Sequence, residues 1–281
     1  MSDPQFEDWS GETGDRWLAN IDRFESMIAD IGRALIAFAK FEPNESVVDV
    51  GCGGGPTTLL IAREILPEGH VEGIDIARQL VERARLRASE DGMTNAMFTV
   101  GDAQVASPTR KPVDRLFSRF GVMFFEDTAA AFANMRQWLK PGGRLTFACW
   151  ASPQDNPWFA SIGGVMSQHI EMPERDPAGP GPFRLCDTDA TKAMLEGAGF
   201  TEVSFTEHAA EQALGGQGAG AQGAADFVLQ ALDIGPLLAE AGPGVVAKAR
   251  ADLVAEFAKS VKDGSVMLPG KSWFVSARNP G

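Results

Sequence analysis

The feature that most constrains this chain is the run Val47-Val48-Asp49-Val50-Gly51-Cys52-Gly53-Gly54-Gly55-Pro56. Ser46 to Val50 is short, apolar and β-branched, which reads as a buried strand. The strand breaks into glycines, and a helix opens behind them. Glycine at such a turn lets a ligand approach backbone that side chains would otherwise cover. Dinucleotide enzymes carry a similar turn, but their fingerprint is G-x-G-x-x-G, and Pro56 stands where the third glycine belongs. The turn argues against a nicotinamide dinucleotide. It suits a nucleoside ligand whose amino-acid part faces the helix N-terminus.

The rest of the first half repeats the strand-helix unit. Strands are expected at residues 71–76, 96–100 and 113–117, with helices through Ile65, over 78–90 and over 128–139. Lys140-Pro141-Gly142-Gly143 turns the chain into a fifth strand at 144–150. Such alternation gives a mostly parallel sheet with helices on both faces. Ahead of it, Trp17, Ile21, Phe24, Ile28, Ile31, Leu35 and Phe38 recur at steps of three and four, which predicts one helix that ends before Pro43. After Trp150 the pattern loosens. Residues 152–184 are rich in Pro, Gly and Met. A helix at 188–196 leads to a sixth strand at 202–206. Residues 215–223 are glycine-rich and read as a mobile loop. Residues 225–262 read as helical segments, and 272–277 as a last strand. The expected organisation is a helical arm over 1–42, a ligand-binding core over 43–150, and lid segments with the closing strands over 151–281.

Charge narrows the partners. With a formal charge of −13, the surface repels phosphate backbones and anionic lipid, so neither nucleic acid nor a membrane is expected as a partner. No stretch is long and apolar enough to cross a membrane, and residues 1–16 lack the apolar region of a signal peptide. Cys52, Cys149 and Cys186 form no metal-ligand spacing and cannot all pair, which fits a reducing, cytoplasmic setting. No metal is expected, and the chain contains no tyrosine.

Three further segments sit at strand ends. Gly73-Ile74-Asp75-Ile76 places an acid about twenty residues past the glycine turn, where it can accept both hydroxyls of a ribose. Gly101-Asp102-Ala103 follows strand three, where a short acid can accept from an adenine amino group. Ser118-Arg119-Phe120-Gly121 follows strand four, where the strand order should reverse. Ligands of open α/β sheets bind at the carboxyl ends of the strands around that switch point. Taken in series, the four segments specify far more than any one of them.

These stretches, with Phe117 to Phe125 and Leu139 to Cys149, resemble the class I S-adenosylmethionine-dependent methyltransferases. Within that class the chain is most similar to the small-molecule branch that includes ubiquinone and menaquinone biosynthesis methyltransferases. The resemblance implies a Rossmann-like α/β fold: a seven-stranded, mostly parallel sheet whose last strand is antiparallel, plus helical lid insertions. It implies S-adenosylmethionine as cofactor and a small-molecule acceptor. Gly51 and Gly53 would lie beside the methionine part, Asp75 on the ribose, and Asp102 with Ala103 at the adenine, with Ile76 also in the cofactor set. Asp49, Cys52, Ser118, Arg119, Phe120 and Trp17 complete the expected cofactor set. Gly181 to Leu185 also resembles a piece of some relatives.

Methyl transfer from a sulfonium needs alignment and dryness more than acid-base groups. A base is needed only if the acceptor must lose a proton. Of the three histidines, His70 precedes strand two, His169 falls in the lid, and His208 follows strand six with Glu207 beside it. His208 is therefore the expected base. Glu126 and Asp127 either approach the site or cap the helix at Thr128. Met and Trp residues between Trp150 and Met172 are expected to line an apolar acceptor pocket. Residues 152–172 and 209–270 are read together as the lid, with a homodimer interface as the other role open to 225–262. A catalytically silent binding protein and an NAD-dependent oxidoreductase are the competing readings of the whole.

Overall fold

The computed structural model describes residues 8–174, 176 and 179–281. The first seven residues of the arm, and positions 175, 177 and 178 of the Pro/Gly/Met-rich segment, lie outside them. The core of the fold is one sheet built from β1 (Ser46–Val50), β2 (His70–Asp75), β3 (Ala96–Val100), β4 (Val113–Arg119), β5 (Leu139–Trp150), β6 (Thr201–Leu214) and β8 (Ser265–Arg278). Their order is β3-β2-β1-β4-β5-β8-β6. β1 through β5 pair in parallel, and β8 runs antiparallel between β5 and β6. The expected seven strands are all present. An eighth, the two-residue β7 (Val261–Lys262), turns back onto the start of β8.

The order reverses beside β1, so the tips of β1 and β4 open a crevice. β1 is buried along its whole length, as its β-branched residues require. Helices α3 (Pro56–Glu64), α4 (Arg78–Glu90), α5 (Thr128–Arg136) and α7 (Thr188–Gly197) follow the strands and cover the sheet. The Lys140–Gly143 turn does not stop α5, which ends earlier. It forms a bulge inside β5, where the register with β4 slips between Val113 and Arg115.

The N-terminal stripe is two helices, not one: α1 (Glu12–Ala19) and α2 (Ile21–Ala39). Asn20 breaks them with φ −119° and ψ 18°, and its amide donates back to the Arg16 carbonyl at 3.0 Å. The three-four periodicity runs through the break because both helices turn apolar faces inward. α2 buries Phe24, Ile28, Ile31 and Leu35.

β6 and β8 outrun β5. The pairs from Ala209↔Lys271 to Leu214↔Val266 form a two-stranded arm beyond the parallel strands. At its end stand α8 (Gly220–Ala231), α9 (Ile234–Glu240) and α10 (Pro243–Ala258), beside α6 (Pro157–Met166). These helices share a second apolar core around Phe24, Met166, Phe227, Leu253 and Phe257. The expected loop at 215–223 is shorter than the sequence suggests, because α8 takes up its second half. Gly215 takes φ +77°, a Cβ there would stand 3.0 Å from the Ala224 Cα, and Gly220 already opens α8. Gly215 thus serves close packing against α8. Among the described residues no helix is long and apolar enough to cross a membrane.

Candidate functional site

The strand tips lead into one cavity of about 710 Å³, a size suited to a small-molecule ligand. One half is polar and built from the sheet. At the β1 tip, Gly51 takes φ +66° and Gly53 φ +53°. A Cβ on Gly51 would strike the Gly121 Cα at 2.7 Å, whereas a Cβ on Gly53 meets nothing within 4 Å and would project into open space. The first glycine lets the β1 and β4 tips touch, and the second leaves a cradle for a ligand. Asp75, at the end of β2, accepts from the Gly53 and Ala77 backbone N–H groups, each at 2.8 Å. Burial pushes its carboxyl up, and the backbone donors draw it back. The carboxylate, with about four acceptor sites, keeps capacity for a further donor. Asp102, after β3, accepts from the Gln104 backbone at 2.9 Å, and Ala103 and Gln104 line the wall beside it.

Arg119 closes this half from β4. Arg119 is half-buried, and desolvation draws its guanidinium down while Asp49 and Glu25 attract it. Its Nε has no hydrogen-bond partner. A half-buried guanidinium on a cavity wall, with its Nε unpaired, suits a carboxylate.

Of the twelve expected cofactor residues, Trp17, Gly51, Cys52, Gly53, Asp75, Ile76, Asp102, Ala103, Arg119 and Phe120 line the cavity. Asp49 and Ser118 do not. Asp49 Oδ2 accepts from the Thr57 and Thr58 hydroxyls at 2.8 and 2.6 Å, which ties β1 to the first turn of α3. Burial pushes its carboxyl up to about 6, although those two hydroxyls pull it down. The Ser118 hydroxyl accepts from the Gly121 N–H at 3.2 Å. Both shape the turn and do not touch the cavity.

The expected base, His208, is corrected. It lies mid-strand in β6, paired with Ser272 and stacked on Phe274 at 4.6 Å. It faces packed ring, not cavity, and burial lowers its pKa. The strand extends well past the point where the sequence pattern ends it, so His208 is not at a tip. His169 is engaged with Asp252 at 2.8 Å, and His70 opens β2 at the far end of the sheet. Asp127 caps α5 by accepting from the Ala130 N–H at 2.9 Å, while Glu126 lines the cavity.

The other half is apolar. Trp150, Trp158, Phe159, Ile162 and Met172 line it, as expected for this segment. Phe183, in the Gly181–Leu185 piece, stacks on Trp158 with centroids 5.9 Å apart. Sequence reasoning did not single out Phe24, Met27 and Ile28 of α2 for the cavity; Gln212 and Leu214 of β6, Phe227 of α8 and Leu268 of β8 fall within the expected lid at 209–270 but were not named, and all line the same half. No local motif marks them, since only the fold brings these segments together. Over the opening, Trp9 lies edge-on to Trp17 and Phe124 at 5.4 and 4.9 Å, and Trp17 stacks on Phe24 at 3.7 Å. Arg16 pairs with Asp233, tying α1 to the start of α9.

Such a strand order, with a glycine-lined, acid-tipped crevice, is the architecture of a class I methyltransferase. The methyltransferase domain family matches residues 47–143. The chain is 30% identical to aklanonic acid methyltransferase of Streptomyces sp. (strain C5) over 148 residues, 52% of this chain and 67% of that one. It is 26% identical to demethylmenaquinone methyltransferase of Listeria monocytogenes serotype 4a over 187 residues, 60% of this chain and 75% of the other. Among solved structures, Haemonchus contortus phosphoethanolamine N-methyltransferase 2 in complex with S-adenosyl-L-methionine shares the fold. Its TM-score is 0.59 at 17% identity, covering all of this chain and 61% of that one. Two longer methyltransferases are spanned over only 40% and 30% of their length. The chain belongs to the class I S-adenosylmethionine-dependent methyltransferases.

Proposed function

We propose that this protein transfers the methyl group of S-adenosylmethionine to a flat, largely apolar small molecule. The observation that carries the reading is the single cavity, which joins a polar cradle at the strand tips to an aromatic chamber. The cradle fits the cofactor: Gly53 leaves the space, and the Arg119 Nε has no hydrogen-bond partner. Asp75 would hold the ribose hydroxyls, Asp102 with Ala103 the adenine, and Arg119 the methionine carboxylate. Gly51, Cys52 and Gly53 would lie along the chain that joins them. Ile76, Phe120 and Trp17 give the apolar flanks.

When bound, the cofactor supplies a methyl group already activated by its positive sulfonium. The chain's own part is to align the acceptor on the aromatic wall and to exclude water. The Trp9, Trp17 and Phe124 roof and the Arg16–Asp233 pair serve the second task. Among the described residues no histidine or lysine lines the cavity, so no imidazole takes a proton from the acceptor. Residues 8–42 act as arm and roof, 43–150 as cofactor core, and α6 with α8–α10 as lid over the acceptor. The lid helices spend their apolar faces inside the chain, which supports a lid over the alternative of a dimer surface. The charge of −13 favours a small acceptor over a nucleic acid, and the free cysteines suit the cytoplasm.

Calorimetric titration with S-adenosylmethionine, S-adenosylhomocysteine and NAD tests the reading. Binding of the first two in a 1:1 ratio and none of NAD is expected. The reverse pattern refutes it.

A further inference from the structure

Within the apolar half stands a polar group that the fold leaves unused. Gln212, on the two-stranded arm, is 6% exposed and lines the cavity. Its Nε2 is buried without a hydrogen-bond partner. Its register partner Leu268, and Leu214 two residues on, line the same wall. Gly270 makes room for the carboxamide, since a Cβ there would come within 2.0 Å of Nε2. A second carboxamide close by is treated quite differently. Asn156 donates to the carbonyls of Ala151, Ser152 and Lys271 at 3.2, 3.0 and 3.0 Å. It accepts from Trp158 Nε1 and the Lys271 N–H at 3.2 and 3.1 Å. One amide is saturated and builds the wall, while its neighbour is kept without a partner. A buried amide left unpaired costs about 1–3 kcal/mol, so a leucine would suit this wall better if packing were its only purpose.

We propose that the Gln212 carboxamide is the polar anchor of the acceptor, and that the acceptor is an apolar ring system carrying a neutral oxygen function, keto or hydroxyl. This rests on the methyltransferase reading above and names the substrate class of that same site. The carboxamide both donates and accepts, so it satisfies a carbonyl through N–H and a hydroxyl through either end. It takes no proton. The acceptor's lone pair forms the bond to the methyl carbon, the carbon–sulfur bond breaks with its electron pair left on sulfur, and a displaced proton leaves to water. Gln212 fixes the ring so that one nucleophilic atom faces the polar half, which makes it a specificity determinant of methyl placement.

The test uses three bicyclic probes of one shape: tetralin, 1-tetralone and 5,6,7,8-tetrahydro-1-naphthol. Each is titrated into the full chain saturated with S-adenosylhomocysteine, with quenching of tryptophan fluorescence as the readout. The wild type should hold at least one oxygenated probe about 3- to 10-fold more tightly than tetralin, the value of one neutral hydrogen bond. Gln212→Leu should bring the probes within about 2-fold of one another while S-adenosylhomocysteine affinity stays unchanged. Gln212→Met, closer in shape and equally unable to hydrogen-bond, repeats the comparison should the leucine variant fail to fold. A preference for 1-tetralone assigns a keto group to the acceptor, and one confined to 5,6,7,8-tetrahydro-1-naphthol assigns a hydroxyl. No preference in the wild type, or a preference that survives in both variants, overturns the anchor. Failure of S-adenosylhomocysteine to bind the wild type overturns the methyltransferase reading instead.

Discussion

Alanine at Gly51 and at Gly53 should produce opposite phenotypes. Both residues sit in the left-handed region, at φ +66° and +53°, so either substitution incurs about 1–2 kcal/mol of backbone strain. The positions then diverge. At Gly51 the new methyl lies 2.7 Å from the Gly121 Cα. Backbone cannot swing aside as a flexible side chain would, and such overpacking adds about 1–3 kcal/mol. Gly51→Ala should thus lose about 2–5 kcal/mol of a total that runs about 5–15 kcal/mol for a folded protein. At about 2–4 °C per kcal/mol, the melting midpoint falls by roughly 4–20 °C. At Gly53 nothing lies within 4 Å of the added methyl, so only the strain remains. The methyl instead occupies the cradle, and S-adenosylhomocysteine affinity should fall by about 10-fold or more, at 1.4 kcal/mol per decade. Thermal denaturation of both variants, paired with calorimetric titration, reads the two axes. Equal destabilisation of the two, with Gly53→Ala binding as the wild type does, would refute the assignment of the cradle.

Asp75→Ala should weaken S-adenosylhomocysteine binding by about 10- to 100-fold in a protein that circular dichroism shows to be folded, since a hydrogen bond to a charged group is worth about 1.5–3 kcal/mol. Asp49 titrates near 6 against a usual value of 3.8, and a raised acid stabilises only while protonated. Its contribution, about 3 kcal/mol in full, is present below 3.8 and disappears as pH rises through 6. Urea denaturation should show the wild type losing roughly 1 kcal/mol more than Asp49→Asn between pH 5 and 7, whereas parallel profiles would clear Asp49. Amide hydrogen exchange over residues 8–20 should slow when S-adenosylhomocysteine is added, because Trp9 and Trp17 roof the cavity; equal exchange would leave them as packing residues only.

The cofactor half was readable in the sequence because each part is local. A glycine turn, an acid at each of two strand tips and a short segment after β4 are contiguous stretches whose meaning follows from their place on a strand. The sheet was readable for the same reason. The acceptor half was only partly so. The Trp150–Met172 segment announced itself by composition, but Gln212, Leu214 and Leu268 reach the cavity only because β6 and β8 extend past β5. The sequence stripe that ends β6 at Thr206 hides that extension, and with it the reason His208 is misplaced as a base. Asn20 likewise breaks a stripe whose periodicity is blind to the kink. The glycines at 215–223 read as a loop, yet Gly215 permits close packing on α8 and Gly220 already opens that helix. Composition alone does not separate the two.

The central claim is that one cavity holds the cofactor at the strand tips and the acceptor on the aromatic wall. A crystal structure with S-adenosylhomocysteine tests it most directly. The account predicts ribose hydroxyls on Asp75, adenine beside Asp102 and Ala103, the carboxylate at Arg119, and the sulfur turned toward Trp150 and Trp158. A ligand bound with its adenine among those tryptophans, or held away from the Gly51–Gly53 turn, would contradict it.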